Sequence, residues 1–162
     1  MVTLRLRIFT DGACSDNPGP GGWAVVFCKN DKCKTFSGYD CSTTNNRMEL
    51  ISVIESFKEI LKLERKEGQN NVYELFSDSA YVVNSINNGW LQAWEFNGWK
   101  TTRGDEIKNQ DLWQEFLKLQ KKIKAKNINI TIIKVKGHAG NSFNELADAI
   151  AKAEVAKAKE SI

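Results

Sequence analysis

Long apolar runs are missing from this 162-residue sequence, and with them any stretch able to cross a membrane as a helix, which takes about 20 consecutive apolar residues. The first ten residues interleave Arg5 and Arg7 with single apolar side chains, which leaves no apolar block for a secretory leader. Histidine occurs once, at His138, and the four cysteines, Cys14, Cys28, Cys33 and Cys41, lack the close paired spacing of a zinc site. Free thiols in a reducing, cytoplasmic setting are expected, although Cys28 and Cys33 flank a turn at Asn30-Asp31 and could be bridged under oxidising conditions. No linker, repeat or low-complexity tract divides the chain, and its length suffices to bury a core without disulfides or a structural metal. The expectation is one domain over residues 1–162, with a core over 4–155 and a charged helical tail over 156–162.

Acids are absent between Glu115 and His138, where Lys118, Lys121, Lys122, Lys124, Lys126, Lys134 and Lys136 all fall. The net charge of +3 is too small to identify a partner. The local run fits either a positive field for phosphates or a solvated helix face.

Leu4, Leu6 and Ile8 alternate with Arg5 and Arg7, which is strand periodicity, and the strand ends in Asp11. Gly22 to Lys29 and Lys32 to Cys41 are predicted as two further strands of an antiparallel meander. From Asn45 the period becomes helical through Leu50, Ile54, Phe57 and Leu61, with Thr43 or Thr44 as a cap and residues 68–71 as the stop. A strand over Val72–Ser77, a helix over Ser79–Asn88, a tryptophan-rich segment, a helix over Asp111–Lys126 and a strand over Ile128–Lys134 follow. The last helix starts near Ser142, which has capping-box spacing to Glu145. This order predicts an α/β fold: a five-stranded mixed sheet, three strands antiparallel and then two parallel, with helices on both faces. The right-handed crossover rule sets Val72–Ser77 beside the first strand, so that Asp11 and Asp78 become neighbours where such sheets bind ligands.

Two later acids, Glu49 and Asp148, converge on this pair in the same reading. Each also has a structural explanation: Glu49 as a first-turn residue favoured by the helix dipole, Asp148 as an exposed helix residue. Four carboxylates gathered without cations would repel, and all-oxygen ligands point to two Mg2+ ions, or Mn2+, rather than zinc. Such a pair can activate a water and stabilise the leaving oxygen of a phosphodiester displacement.

Thr10-Asp11-Gly12, Asn17-Pro18-Gly19-Pro20-Gly21-Gly22, Thr44 to Leu50, Ser77-Asp78-Ser79, Gly98-Trp99-Lys100-Thr101, Asn109 to Trp113 and Val135 to Gly140 occur in that order. Together they resemble the ribonuclease HI family, over Leu4 to about Val155. The resemblance implies the ribonuclease H-like fold and a metal-dependent endonuclease that cuts the RNA strand of RNA/DNA hybrids, leaving 5'-phosphate and 3'-hydroxyl ends. It puts the family's metal-binding acids on Asp11, Glu49, Asp78 and Asp148. His138 takes an auxiliary part in proton transfer or product departure, and Asn144 helps orient the site. Cys14, Asn17, Asn45 and Asn46 stand at RNA-contacting positions, suited to reading the 2'-hydroxyl. Cys14 equally suits a small buried filler, and the asparagines suit turns and caps. Thr44 and Asn109 match a phosphate pocket for the DNA strand, and Trp90, Trp94 and Trp99 belong to a projecting handle.

Where many relatives carry Lys and Arg in that handle, this chain has Glu95, Phe96 and Asn97. Fewer phosphate contacts mean a weaker grip and a flatter salt dependence, unless the lysine-rich helix compensates. No further hybrid-binding segment precedes residue 4, so low processivity is expected, in a monomer that needs no membrane and no protein partner. The alternatives are a DNA-acting nuclease of the same superfold and a non-catalytic hybrid-binding module.

Overall fold

The computed structural model describes residues 4–67, 71–136 and 142–162. The chain order is β1 (Arg5–Cys14), β2 (Gly19–Lys29), β3 (Lys32–Thr43), α1 (Asn45–Glu67), β4 (Val72–Ser77), α2 (Ala80–Asn87), α3 (Trp90–Phe96), α4 (Gln110–Ala125), β5 (Asn129–Lys134) and α5 (Ser142–Glu160). The strands form one five-stranded sheet in the order β3-β2-β1-β4-β5. The pairings β1-β2 and β2-β3 are antiparallel, whereas β1-β4 and β4-β5 are parallel. This is the α/β arrangement that the sequence order predicts, and it makes β1 the hinge between the two halves of the sheet.

Strand alternation divides the core. Leu6 and Ile8 of β1, with Val25 of β2, pack with α1, α2 and α4 in one cluster around Leu50, Val53, Phe57, Trp113 and Phe116. Phe9, Ala24 and Val26 face the other way and pack with Ala147 and Ala151 of α5. The alanines let α5 lie close, and Gly22 completes the fit: a Cβ there would stand 2.5 Å from the Ala151 carbonyl oxygen. Helices therefore cover both faces.

Four particulars differ from the sequence expectations. The first strand does not end at Asp11; it stays paired with β2 through Cys14, and only its parallel pairing with β4 stops, at Phe9 opposite Phe76. Glu49 lies beyond the first turn of α1, which holds no acid, so the helix dipole does not explain it. The tryptophan-rich segment contains a helix of its own, α3. Cys28 and Cys33 are joined by a disulfide rather than free, because the hairpin register sets them directly opposite each other, and Cys14 and Cys41 remain as thiols. No helix among the described residues is long and apolar enough to cross a membrane.

Candidate active site

Three carboxylates meet where the parallel and antiparallel halves of the sheet diverge. Asp11, Glu49 and Asp78 each offer an oxygen, and these oxygens lie within 4.8 Å of one another. Asp11 comes from β1, beyond the last parallel pair, and its Oδ1 accepts from the Gly12 backbone N–H at 2.9 Å. Its neighbour Thr10 donates to the Phe76 carbonyl at 3.0 Å, which ties β1 to β4 just before both acids. Asp78 sits between the end of β4 and the start of α2, in a turn that is locally closed. Ser77 Oγ accepts from Ser79 N–H, and Ser79 Oγ caps α2 by accepting from Val82 N–H at 3.2 Å.

Glu49 arrives from the other face of the sheet. The α1 backbone passes so close to β1 that a Cβ on Gly12 would fall 2.4 Å from the Glu49 nitrogen. The absence of a side chain at Gly12 is what lets α1 bring its acid alongside Asp11. Asp148 of α5 shares the adjoining cleft, of about 20 Å³, with Thr10, Asp11, Asp78, Lys136, Asn144 and Glu145, room for a water-sized occupant. It is held by Lys152, Nζ to Oδ2, at 3.0 Å.

Burial and repulsion dominate the electrostatics. Asp11 and Glu49 are 8% and 3% exposed. Burial, and then the Asp78 charge, push the Asp11 carboxyl up to about 7. Glu49 is raised well above the ordinary range by burial and then by the charges of Asp11 and Asp78. Its Oε2 is buried with no hydrogen-bond partner among the described residues. An orphaned, buried carboxylate oxygen facing two other acids is costly to a protein by itself, and a divalent cation with oxygen ligands would satisfy it. The donor set thus fits a hard metal ion.

The remaining sequence candidates fall into three groups. His138 lies outside the described residues. Cys14, Asn17 and Asn45 cluster in the β1-β2 turn and at the start of α1: Asn17 Oδ1 accepts from Asn45 N–H at 2.8 Å. The Cys14 thiol is directed to the carbonyls of Asp16, Gly19 and Thr43, so it ties the loop together. Asn46 is exposed beside them. Thr44, and not Thr43, is the cap of α1, its Oγ1 accepting from Arg47 N–H at 3.3 Å. Of the handle tryptophans, Trp90 is 42% exposed, whereas Trp94 packs on Trp113 at 5.9 Å and joins the handle to the main core. Trp99 is half-buried at the close of the handle.

A set of residues around Asn109 went unrecognised in the sequence. Asn109 has a left-handed backbone at φ 60° just ahead of α4. Its Oδ1 accepts from Arg47 at 3.3 Å and its Nδ2 donates to the Tyr81 hydroxyl at 3.1 Å. Tyr81 also accepts from the buried Trp113 indole at 2.8 Å, and Arg47 forms a two-pronged pair with Asp111 at 3.0 and 2.8 Å. Three elements thereby fix one amide; the sequence motifs Thr44–Leu50 and Asn109–Trp113 contain Arg47, Asp111 and Trp113, whereas nothing in them signalled Tyr81.

A family model described as RNase H matches residues 4–156. The ribonuclease H of Thermoanaerobacter sp. (strain X514) is 44% identical over 150 residues, covering 93% of this chain and 89% of the relative. That of Syntrophomonas wolfei subsp. wolfei is 43% identical over 148 residues, 91% of this chain and 94% of the relative. Among solved structures, LC9-RNase H1, a type 1 RNase H with the type 2 active-site motif, superposes with a TM-score of 0.78 at 28% identity, over 97% of this chain and 74% of that one. LC11-RNase H1, solved in complex with an RNA/DNA hybrid, gives 0.70 at 21% identity over 94% and 98%, a likeness of fold.

Proposed function

The chain belongs to the ribonuclease H family, and from that premise we propose that it hydrolyses the RNA strand of RNA/DNA hybrids, leaving 5'-phosphate and 3'-hydroxyl ends. The observation that carries the reading is the convergence of Asp11, Glu49 and Asp78, with one buried Glu49 oxygen lacking a partner. Two Mg2+ ions, or Mn2+, when bound by these acids and Asp148, would supply an activated water and charge stabilisation of the leaving oxygen. Everything else is done by the chain. Gly12 N–H and Thr10 hold Asp11 and its strand in place. Asn144 orients the Asp148 side of the cleft, and His138 moves a proton at the leaving side. Cys14 shapes the turn that presents Asn17, Asn45 and Asn46 to the 2'-hydroxyls, and Asn109 and Thr44 hold a DNA phosphate. Trp90, Trp94 and Trp99 build the handle against which the deoxyribose face rests. Because every group comes from one chain, a monomer suffices, acting in the cytoplasm as a single catalytic domain.

An end-labelled hybrid, the same RNA alone and as RNA duplex, and the matching DNA duplex, each with Mg2+ and with chelator, test the reading. RNA cut only in the hybrid and only with metal is the expected result. Cutting of the DNA duplex would assign the chain to the DNA-acting nucleases of this superfold, and no cleavage with Mg2+ or Mn2+ would leave a binding module.

The handle carries its own prediction. Phe96 is 90% exposed, and Glu95 neutralises Lys121 of α4 at 3.0 Å. Replacing both Glu95 and Phe96 by lysine adds two cations and frees a third, so hybrid affinity is expected to rise and the salt slope to steepen by about 2 to 3. Anisotropy titrations across salt concentrations read both, and an unchanged slope removes the handle from the interface.

A further inference from the structure

A cleft of about 340 Å³ lies outside the active site, between the end of β1 and α5. Cys14 and Ser15 form one wall, Lys152 and Lys159 the other, and Ala156 is among the residues between. No acid lines it among the described residues. Lys159 has no ion-pair partner among the described residues, unlike Lys157, which is held by Glu154 at 2.9 Å. Both walls belong to elements that also carry acids of the active site. β1 carries Asp11 three residues before Cys14, and α5 carries Asp148 one turn before Lys152.

Helical geometry aligns these groups. Positions 148, 152, 156 and 159 fall on one face of α5, and seven residues separate Lys152 from Lys159, about 10 Å along the axis. With α5 laid along the duplex axis, that span equals about three nucleotide steps at 3.4 Å of rise per strand. The small Ala156 between them leaves space for a sugar-phosphate backbone.

We propose that this face of α5 is a second phosphate track for the RNA strand, with Lys152 over the phosphates next to the reacting one and Lys159 about three nucleotides further on. It rests on the reading of the chain as a hybrid nuclease. In the free protein Lys152 is engaged by Asp148; were that carboxylate to hold a divalent cation, the ammonium would be free for the RNA, so the inner contact would belong to the loaded site. Lys159 is available throughout, which makes it the residue to test.

Lys159→Gln keeps a good helix former and removes one charge, and Lys157→Gln removes the same charge from the Glu154 pair as a control. Hybrid binding is measured in chelator across a salt series, and cleavage with metal in parallel. For Lys159→Gln the salt slope should fall by about 0.7 to 0.9 and KM rise about threefold with kcat unchanged, while Lys157→Gln stays at wild type. Hybrids whose RNA is shortened by three nucleotides at one end or the other should lose the Lys159 effect at one end only. Equal slopes for the two variants, or a defect that persists on both shortened hybrids, overturn the track. Wild-type cleavage in the same assay keeps that failure distinct from failure of the nuclease reading.

Discussion

Asp11→Asn is expected to abolish hybrid cleavage and yet, in chelator at pH 8, to unfold at a higher temperature than the parent protein. Both effects come from one buried charge. The Asp11 carboxyl is raised to about 7 in the folded protein, by burial and by Asp78, against about 3.9 in an unfolded chain. Between those values the folded state still holds a proton that the unfolded chain has released. The metal-free protein therefore loses stability as pH rises from about 4 to about 7, and stays at the lower level above that. Asparagine has the same shape, can still accept from Gly12 N–H, and carries no charge to desolvate. The gain at pH 8 should be a few kcal/mol, or about 5 °C or more in Tm for a chain of this size, and it should vanish near pH 4. Cleavage should fall by more than about a hundredfold, since even outer partners of metal ligands account for 10–100-fold. Hybrid affinity should change little if, as proposed, the substrate is held by other residues. Mg2+ or Mn2+ should raise the Tm of the parent more than that of the variant. Thermal melts with and without chelator at pH 4 and pH 8, beside the cleavage assay, check each part: a variant no more stable than its parent at pH 8 denies the repulsion, and one that cleaves normally denies the metal assignment.

Where sequence reasoning succeeded, it used local periodicity joined to one topological rule. Alternation in β1 and the helical period after Asn45 are properties of adjacent residues, and the right-handed crossover then forces β4 beside β1, which is enough to bring Asp78 to Asp11. Glu49 was ambiguous because a carboxylate near a helix start has a local explanation, yet in a helix that starts at Asn45, as both the sequence and the structure have it, Glu49 already lies past the first turn. The disulfide was legible as a hairpin pair and disfavoured only because composition suggested a reducing setting. The Asn109 cluster was not legible, since Arg47, Tyr81 and Trp113 meet there from three helices whose packing angles no single segment encodes. The handle was read as a tryptophan-rich segment with no element assigned, and its helix is seated on the core through Trp94 against Trp113, a contact between distant residues. Local signals thus identified the candidate acids, and tertiary contacts supplied the residues that fix the Asn109 amide and seat the handle.

Gly12→Ala should be among the most damaging single substitutions in the chain, although it adds one methyl group. The new Cβ would stand 2.4 Å from the Glu49 nitrogen, 2.6 Å from the Met48 carbonyl carbon and 2.9 Å from the Glu49 Cα. All three are backbone atoms of α1, so no side-chain rotation relieves the clash; either the helix moves or the strand does. Overpacking against mobile side chains costs about 1–3 kcal/mol, and a contact with rigid backbone should reach or exceed the top of that range. Gly22→Ala is the informative comparison. It too collides with a helix backbone, at the Ala151 oxygen and the Val155 nitrogen, but that helix is α5 and the contact lies away from Glu49. Both variants should melt well below the parent. Displacement of α1 should additionally weaken metal binding in Gly12→Ala, because the clash is centred on the residue that carries the orphaned carboxylate oxygen. Calorimetric titration with Mn2+ at a temperature where both variants remain folded separates the two: Gly12→Ala should show a loss of about tenfold or more, comparable to that from disturbing a ligand's support, and Gly22→Ala, which disturbs only the helix of the half-exposed Asp148, a clearly smaller one. Equal metal affinity in the two variants would mean that Glu49 does not depend on the close approach of α1 to β1.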